Sequence, residues 1–281
     1  MTLTIGVLHP GEMGSAVAAA ASAGGARVLW ASEGRSLRTR QGADGAGLHD
    51  AGTLPALVSR SDVVLSICPP HAAVDVARAV AAHRFSGLYV DANAVSPGTA
   101  RDIGVLVERA GAAFVDGGIV GPPPRRPGTT RLYVSGKEAA RVAAPFAHGP
   151  LEVIELDGGP GAASALKMGY AAWTKGSAAL LMAIRALAAA EGVDDALVRE
   201  WERSVPDLPG RSEAAVRGNA RKAWRFVGEM EEIAASFAAA GLPDGFHRAA
   251  AEVYRRLARY KDAAEPPPLA EAASALTGAT G

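Results

Sequence analysis

The sequence predicts a doubly wound α/β domain followed by an all-α domain, and three observations carry that prediction. Short β-branched runs alternate with Ala-rich helical stretches from residue 3 to about 155, the pattern of a parallel sheet with helices on both faces. From about residue 162 onward apolar residues recur at helical spacing, with no further strand-like runs. The length, 281 residues, suits two medium domains, each with its own apolar core. The expected boundaries are 1–157 for the doubly wound domain, 158–262 for the helical one and 263–281 for a flexible tail.

In chain order, the strand candidates are "LTIGVL", "ARVLWA", "DVVLSI", "GLYVDA", "AAFVDGGIV" and "TRLYVSG". Helical stretches begin near Glu12, Arg35, Pro70 and Pro97, where proline or a small polar residue marks each start. The order strand-loop-helix repeats with links short enough for right-handed crossovers. A single long helix is expected over about 161–191, ending at Gly192, and later helices near 194–203, 212–240 and 244–261. "GLPDGF" supplies a helix stop and restart. The tail, rich in Pro and Ala, holds one short helical stretch at most.

Composition limits the function classes. Lys plus Arg equals Asp plus Glu at 29 each, so no global field favours nucleic acid or an anionic membrane. The apolar segment "AALLMAIRALAAA" is interrupted by Arg185 and falls short of the roughly 18–20 residues of a membrane-spanning helix. A lone Cys68 excludes an internal disulfide framework, and no charged leader precedes "LTIGVL", so a cytoplasmic protein is expected. No metal-ligand cluster is evident, and no metal is expected.

"HPGEMG", residues 9–14, joins the first strand to the first helix. A loop that binds pyrophosphate needs exposed backbone amides and the partial positive charge of a helix N-terminus. Gly11 and Gly14 match the second and third glycines of a dinucleotide fingerprint, while His9 replaces the first. Pro10 biases His9 toward extended geometry. His9, Pro10, Gly11, Glu12 and Met13 are therefore the expected cofactor contacts, with an ordinary strand–helix turn as the plainer alternative. After the second strand, in "VLWASEGRSLRTR", Ser32, Arg35 and Ser36 suit a 2′-phosphate, with Arg38 or Arg40 in reserve. Glu33 is the argument against. The balance favours NADP(H).

Taken with "DVVLSICPP", "VDANAVSPGTA", "FVDGGIVGPPP" and "GPGAASALKMGYAAWTKG" in that order, the loop resembles the 3-hydroxyacid dehydrogenase and 6-phosphogluconate dehydrogenase-like superfamily, which includes the imine reductases. The resemblance covers nearly the whole chain and implies a Rossmann-type domain, a long interdomain helix and a helical domain that forms a homodimer, with an interdomain active site. It implies Lys167 as general acid or base, Cys68 and Pro69 as cofactor contacts, Asn93, in the loop that approaches the nicotinamide, as a contact of both cofactor and substrate, and Val120, Gly121 and Pro122 as the substrate loop. The chain also departs from the family pattern. Val120 stands where a serine would hold a substrate carboxylate, Tyr170 replaces an asparagine, and Gly228 and Glu229 replace a Lys–Asp pair.

On the expected helix Lys167, Tyr170 and Thr174 share one face, and the small and apolar neighbours of Lys167 suit a lysine whose pKa is tuned for proton transfer. Lys175 lies about 80° round from it and either tunes it or faces solvent. His247 is a further substrate-side candidate, with capping or packing as the alternative. The expected function is an NADP-dependent oxidoreductase acting on a hydroxyacid or its keto counterpart. The alternatives are an imine reductase and a non-catalytic dinucleotide sensor.

Overall fold

The computed structural model describes residues 2–278 as two compact units, Met1–Met168 and Gly169–Gly281. The first contains β1 (Thr4–Leu8), α1 (Glu12–Ala23), β2 (Arg27–Trp30), α2 (Leu37–Gly45), β3 (His49–Asp50), α3 (Leu54–Ser59), β4 (Val63–Ser66), α4 (Ala73–Ala81), β5 (Leu88–Asp91), α5 (Pro97–Arg109), β6 (Ala113–Val120), β7 (Thr130–Ser135) and β8 (Leu151–Glu155). The sheet order is β3-β2-β1-β4-β5-β6-β7-β8. The first six strands in that order are parallel; β7 runs antiparallel to β6, and β8 parallel to β7. The reversal has a simple cause. The link 121–129 carries no helix, and so short a connection cannot return the chain for a parallel strand.

Two apolar clusters sandwich the sheet. Val7, Val28, Trp30, Leu65, Val90 and Val115 pack with Val17 and Ala21 of α1 on one face. Val64, Tyr89 and Phe114 pack with Ala77 and Val80 of α4 and Ile103 and Val107 of α5 on the other. The strands read as continuous apolar runs because both faces are covered. β3, α3 and β8 were absent from the sequence reading. β3 is two exposed residues and α3 six residues, too short for periodicity to register.

One feature of the register prepares the site. Leu8, Ser66, Asp91, Asp116 and Ser135 are paired neighbours across five strands. Four polar side chains thus form a row near the carboxyl edge of the parallel strands, and all four are at most 1% exposed. A buried acid must be paired or hydrogen-bonded.

α6 (Ala162–Ala190) is the expected long helix, and the division between the units falls within it. The second unit continues with α7 (Asp194–Ser204), α8 (Leu208–Asn219), α9 (Ala223–Ala239), α10 (Gly245–Leu257) and α11 (Leu269–Thr277). The expected helix over 212–240 is two helices. α8 starts earlier, at Leu208-Pro209, and ends where Asn219 Nδ2 turns back to the carbonyl of Ala215 at 2.7 Å, the competition with the backbone that makes asparagine a poor helix-interior residue. Arg185, the charge in the apolar segment, is 6% exposed. It forks onto Asp194 (2.6 and 2.7 Å) and donates to Ser212 Oγ (2.7 Å), tying α6 to α7 and α8.

The tail differs from the flexible extension expected. α11 buries Ala272, Ala273, Ala275 and Leu276, and Arg256 Nη1 donates to the Leu276 carbonyl at 2.6 Å. Small apolar residues at helical spacing supply a docking face that composition alone disguises. Residues 279–281 of that tail lie outside the described part. Among the described residues no helix is long and apolar enough to cross a membrane.

Candidate active site

The glycine loop turns at His9. Contrary to the extended geometry expected before proline, His9 has φ 60°, the left-handed conformation that glycine adopts without penalty. The reason lies in what its carbonyl does. It accepts the Gly11 amide at 2.7 Å, and a Cβ on Gly14 would come within 2.9 Å of it. The backbone therefore folds His9 O beneath the start of α1, and Gly14 lets the helix settle on it. Gly11 is different: a Cβ there meets nothing nearer than 4.0 Å. The space where its side chain would stand is open, and as N-cap it offers no side-chain acceptor to the first turn of α1. The orphan amides of that turn form an anion site by default.

Beside the loop lies a cavity of about 90 Å³ with an apolar wall of Val7, Leu8, Ala31 and Leu54 and a polar rim of His9, Glu33 and Arg35. His9 Nδ1 and Arg35 Nε are buried without hydrogen-bond partners. Burial, then the nearby Arg35 charge, lowers the His9 pKa to about 4. The other residues of the β2–α2 loop are committed to its shape. Ser32 is 8% exposed and its amide donates to Asp50 Oδ1 (3.2 Å). Arg40 holds the loop through the carbonyls of Ser32 (2.9 Å) and Arg35 (3.4 Å). Ser36 caps α2, accepting from the Thr39 amide at 3.3 Å. Of the basic residues in this stretch, Arg35 is the one aimed at the cavity, while Arg40 serves as a brace.

Two strands along, Asn93 is 2% exposed. Its Nδ2 donates to Ser66 Oγ and Asp91 Oδ2, both at 3.0 Å, and its Oδ1 accepts the Cys68 amide at 2.6 Å. Expected near the nicotinamide, Asn93 works through the loops: it fixes the segment Cys68-Pro69 after β4 against the end of β5. Burial, reinforced by Asp91, pushes the Cys68 thiol up to about 12, so this cysteine stays protonated and unreactive.

The start of α6 is held as firmly. Asp116 Oδ2 accepts from the Gly161 amide (2.9 Å), the Ser164 amide (3.0 Å) and Ser135 Oγ (3.1 Å), and Oδ1 accepts Ser164 Oγ (2.6 Å). Ser135 Oγ in turn accepts the Ala163 amide at 3.1 Å. A strand carboxylate thus supplies the helix cap, with the charge sign the helix dipole favours. One turn later comes Lys167. A Cβ on Gly118 would lie 2.7 Å from Ala163 O and 2.9 Å from Lys167 Cβ, so the absent side chain on β6 is what lets the helix press against the strand. Gly118 lies two residues beyond Asp116 toward the carboxyl end of β6, as Asn93 does beyond Asp91 at β5. The half-buried Lys167 therefore stands at the same sheet edge as the glycine loop, roughly three strand spacings or ~14 Å across.

Residues 4–145 match the NAD binding domain of 6-phosphogluconate dehydrogenase. The chain belongs to that family. Residues 188–257 match a domain of unknown function (DUF1932). The chain is 34% identical over 173 residues to an uncharacterized 28.5 kDa protein from Methanothermus fervidus; the match covers 61% of this chain and 66%, just under two thirds, of that relative. Among solved structures, a conserved protein of unknown function with structural similarity to 3-hydroxyacid dehydrogenases is 26% identical, with a TM-score of 0.67 over 92% of this chain and 98% of that one. The 3-hydroxyisobutyrate dehydrogenase of Mycobacterium tuberculosis is 21% identical, TM-score 0.70, over 98% and 99% of the two chains, and shares the fold.

Within this NAD-binding family the loop residues fit a dinucleotide: open main chain at Gly11, uncapped amides on α1, and a cavity lined by His9 and Arg35 at the end of β2, where the adenosine ribose lies in such folds. The expected substrate loop looks different from its sequence. Val120 is in β6, 3% exposed and paired with Arg131. Gly121 has φ 122°, and a Cβ there would collide with Thr129 O, so both its backbone and its surroundings call for glycine. The Pro122 carbonyl accepts Thr130 Oγ1 at 2.6 Å. These residues close the β6–β7 link.

In the second unit Tyr170 is 46% exposed, and Thr174 Oγ1 donates to its carbonyl at 3.2 Å. His247 is 5% exposed, with ring centroids 4.2 Å from Phe237 and 5.2 Å from Phe246; packing, the alternative reading, describes it. Lys175 neither faces solvent nor is bare: its ammonium pairs with Glu229 at 2.9 Å, and the Tyr254 hydroxyl donates to its carbonyl at 2.8 Å. Sequence reasoning missed Asp116 and Ser135. An acid inside an apolar strand is the signal that marks the first, since aspartate is seldom buried without a structural task.

Proposed function

We propose that this protein is an NADP(H)-dependent oxidoreductase that moves a hydride between the nicotinamide and a hydroxyacid or its keto or aldehyde counterpart, with Lys167 giving or taking the proton at the substrate oxygen. The cofactor, when bound, supplies the hydride chemistry. The chain's own residues hold its phosphates on Gly11 and α1, exclude water with the apolar wall around Leu8 and Leu54, and present an ammonium group. The observation that carries the reading is Lys167 packed against Gly118 at the sheet edge that also bears the glycine loop. An ammonium there donates to a carbonyl oxygen during reduction and, as the amine, accepts the proton during oxidation. Arg35, aimed at the ribose cavity, supports the 2′-phosphorylated cofactor.

A second reading, an imine reductase, draws on Val120. In that position an apolar, buried side chain supplies no hydroxyl to hold a carboxylate. One experiment addresses both: NADPH oxidation followed across keto acids, aldehydes and cyclic imines, with the native chain and Lys167→Ala. Turnover with keto acids that falls about 100-fold or more in K167A, with NADPH affinity retained, is the expected outcome. Turnover with cyclic imines alone favours the second reading. NADPH binding with no turnover of any class would leave only a dinucleotide sensor.

A further inference from the structure

Gly117 and Gly118 stand side by side in the buried interior of β6. Glycine weakens a strand there, since it brings no side chain to the core and is freer in the unfolded chain. Neither takes positive φ, so the backbone does not call for glycine; the surroundings do. Successive strand residues face opposite ways. A Cβ on Gly117 would stand 2.9 Å from the Asp91 carbonyl oxygen and 3.5 Å from Ala92 Cα, where the chain leaves β5 for Asn93. On the other face, a Cβ on Gly118 would stand 2.7 Å from Ala163 O and 2.9 Å from Lys167 Cβ. Two residues earlier on that face, Asp116 accepts the Gly161 and Ser164 amides at 2.9 and 3.0 Å. The carboxylate fixes where α6 starts along the strand, and the missing side chain at 118 fixes how deep its next turn sits.

Resting on the reading of Lys167 as the proton donor, we propose that Gly118, with Gly117 behind it, is a positioning residue of the reaction. The bare strand sets the spacing between the second turn of α6, which carries Lys167, and the segment that leads from β5 to Asn93. A lysine side chain is long and flexible, so the placement of its ammonium begins with the placement of its Cβ, and here that atom rests over strand backbone. Filling the space at 118 moves Lys167 bodily, because Ala163 O belongs to the helix backbone and cannot rotate away. An error of about 1 Å in a reacting group costs on the order of 100-fold in rate. Gly104 of α5 supplies the contrast. Its Cβ would meet ring atoms of Phe114 at 2.8 and 3.0 Å, and Phe114 shares the Gly118 face of β6. The contact is as tight, but it seats α5 and leaves α6 alone.

The test compares Gly118→Ala with Gly104→Ala in the full chain. Urea denaturation and NADPH affinity are measured for both, then NADPH oxidation against pH with the keto acid or aldehyde that the native chain reduces fastest. Acetic anhydride is a probe independent of turnover, acetylation of Lys167 being read by mass spectrometry against the exposed Lys137 and Lys261. Both variants should lose stability. G118A should also turn over about 10- to 100-fold more slowly, with NADPH affinity within about 2-fold of native and its pH profile displaced. Its Lys167 acetylation should change by about 3-fold or more relative to the other two lysines. The folded fraction of G104A should keep the native rate, profile and acetylation. If G118A does not fold, Gly117→Ala, which brings one atom rather than two within 3.0 Å, takes its place, with rate and pH profile deciding. A G118A chain that matches G104A in rate, profile and acetylation would overturn the positioning role and spare the oxidoreductase reading. A native chain that reduces no carbonyl compound overturns that reading, and acetylation alone then decides whether Gly118 places Lys167.

Discussion

The two ends of one sheet edge are built on opposite principles. At the β5–β6 end, Asp116, Ser135 and Ser164 satisfy one another and the first amides of α6, and Asn93 does the same for Asp91 and Ser66. At the β1–β2 end, His9 and Arg35 have buried nitrogens without partners, around a cavity beside a strained turn. The first end is tied together by hydrogen bonds between strands and helix; the second surrounds a cavity with side chains that those bonds do not hold. That asymmetry separates stability from binding. Residues of the anchored end should report in unfolding experiments, and those of the open end in ligand titrations.

Asp116→Ala tests the anchored end, with the largest expected effect. It removes a carboxylate that accepts four hydrogen bonds and leaves buried donors on Gly161, Ser164 and Ser135 without acceptors. The expected loss is about 3 kcal/mol or more of unfolding free energy, read by urea denaturation. NADP⁺ affinity of the folded fraction should change little. A variant as stable as the native chain, or one that loses cofactor affinity without losing stability, would dissolve the distinction between the two ends.

The sequence showed what depends on local pattern and hid what depends on register. Alternating apolar runs and Ala-rich stretches suffice for β1, β2, β4 to β7 and the long helix, because each pattern is long and both faces are buried. β3 and α3 are too short, and the antiparallel turn of β7 follows from a helix-free link whose consequence is topological. The left-handed His9 was unreadable from HisPro, since the preference before proline is overruled by the demand that His9 O lie under Gly14. Asp116 was visible as a letter, but its partners Ser135, Gly161 and Ser164 are up to 48 residues away. Lys167 was singled out by the resemblance and by its small and apolar neighbours. The packing partner Gly118 was not: the strand through it was expected, but that α6 presses on it there depends on a contact about 49 residues along the chain.

Arg35→Ala tests the open end. Removing a guanidinium that has an unpartnered Nε should leave unfolding free energy within about 0.5 kcal/mol of native. Losing a charged donor to a phosphate should weaken NADPH by about 10-fold or more, with NADH nearly unchanged, as read by quenching of intrinsic fluorescence. Equal losses for both cofactors would move Arg35 away from the 2′-phosphate and make it a general support of the loop.

The smallest expected effect is also the sharpest for the comparison, because its sign runs against the usual trend of mutation. Relief of left-handed strain by His9→Gly is worth about 1–2 kcal/mol, and the extra freedom of glycine in the unfolded chain takes back about 0.5–1 kcal/mol. The turn should therefore come out more stable by up to about 1 kcal/mol, seen as a rise in Tm, while NADPH binding weakens. A residue kept for packing gives the opposite pair of results, lower stability with affinity intact. A gain in stability coupled to a loss of binding is the behaviour expected of strain held in place by function.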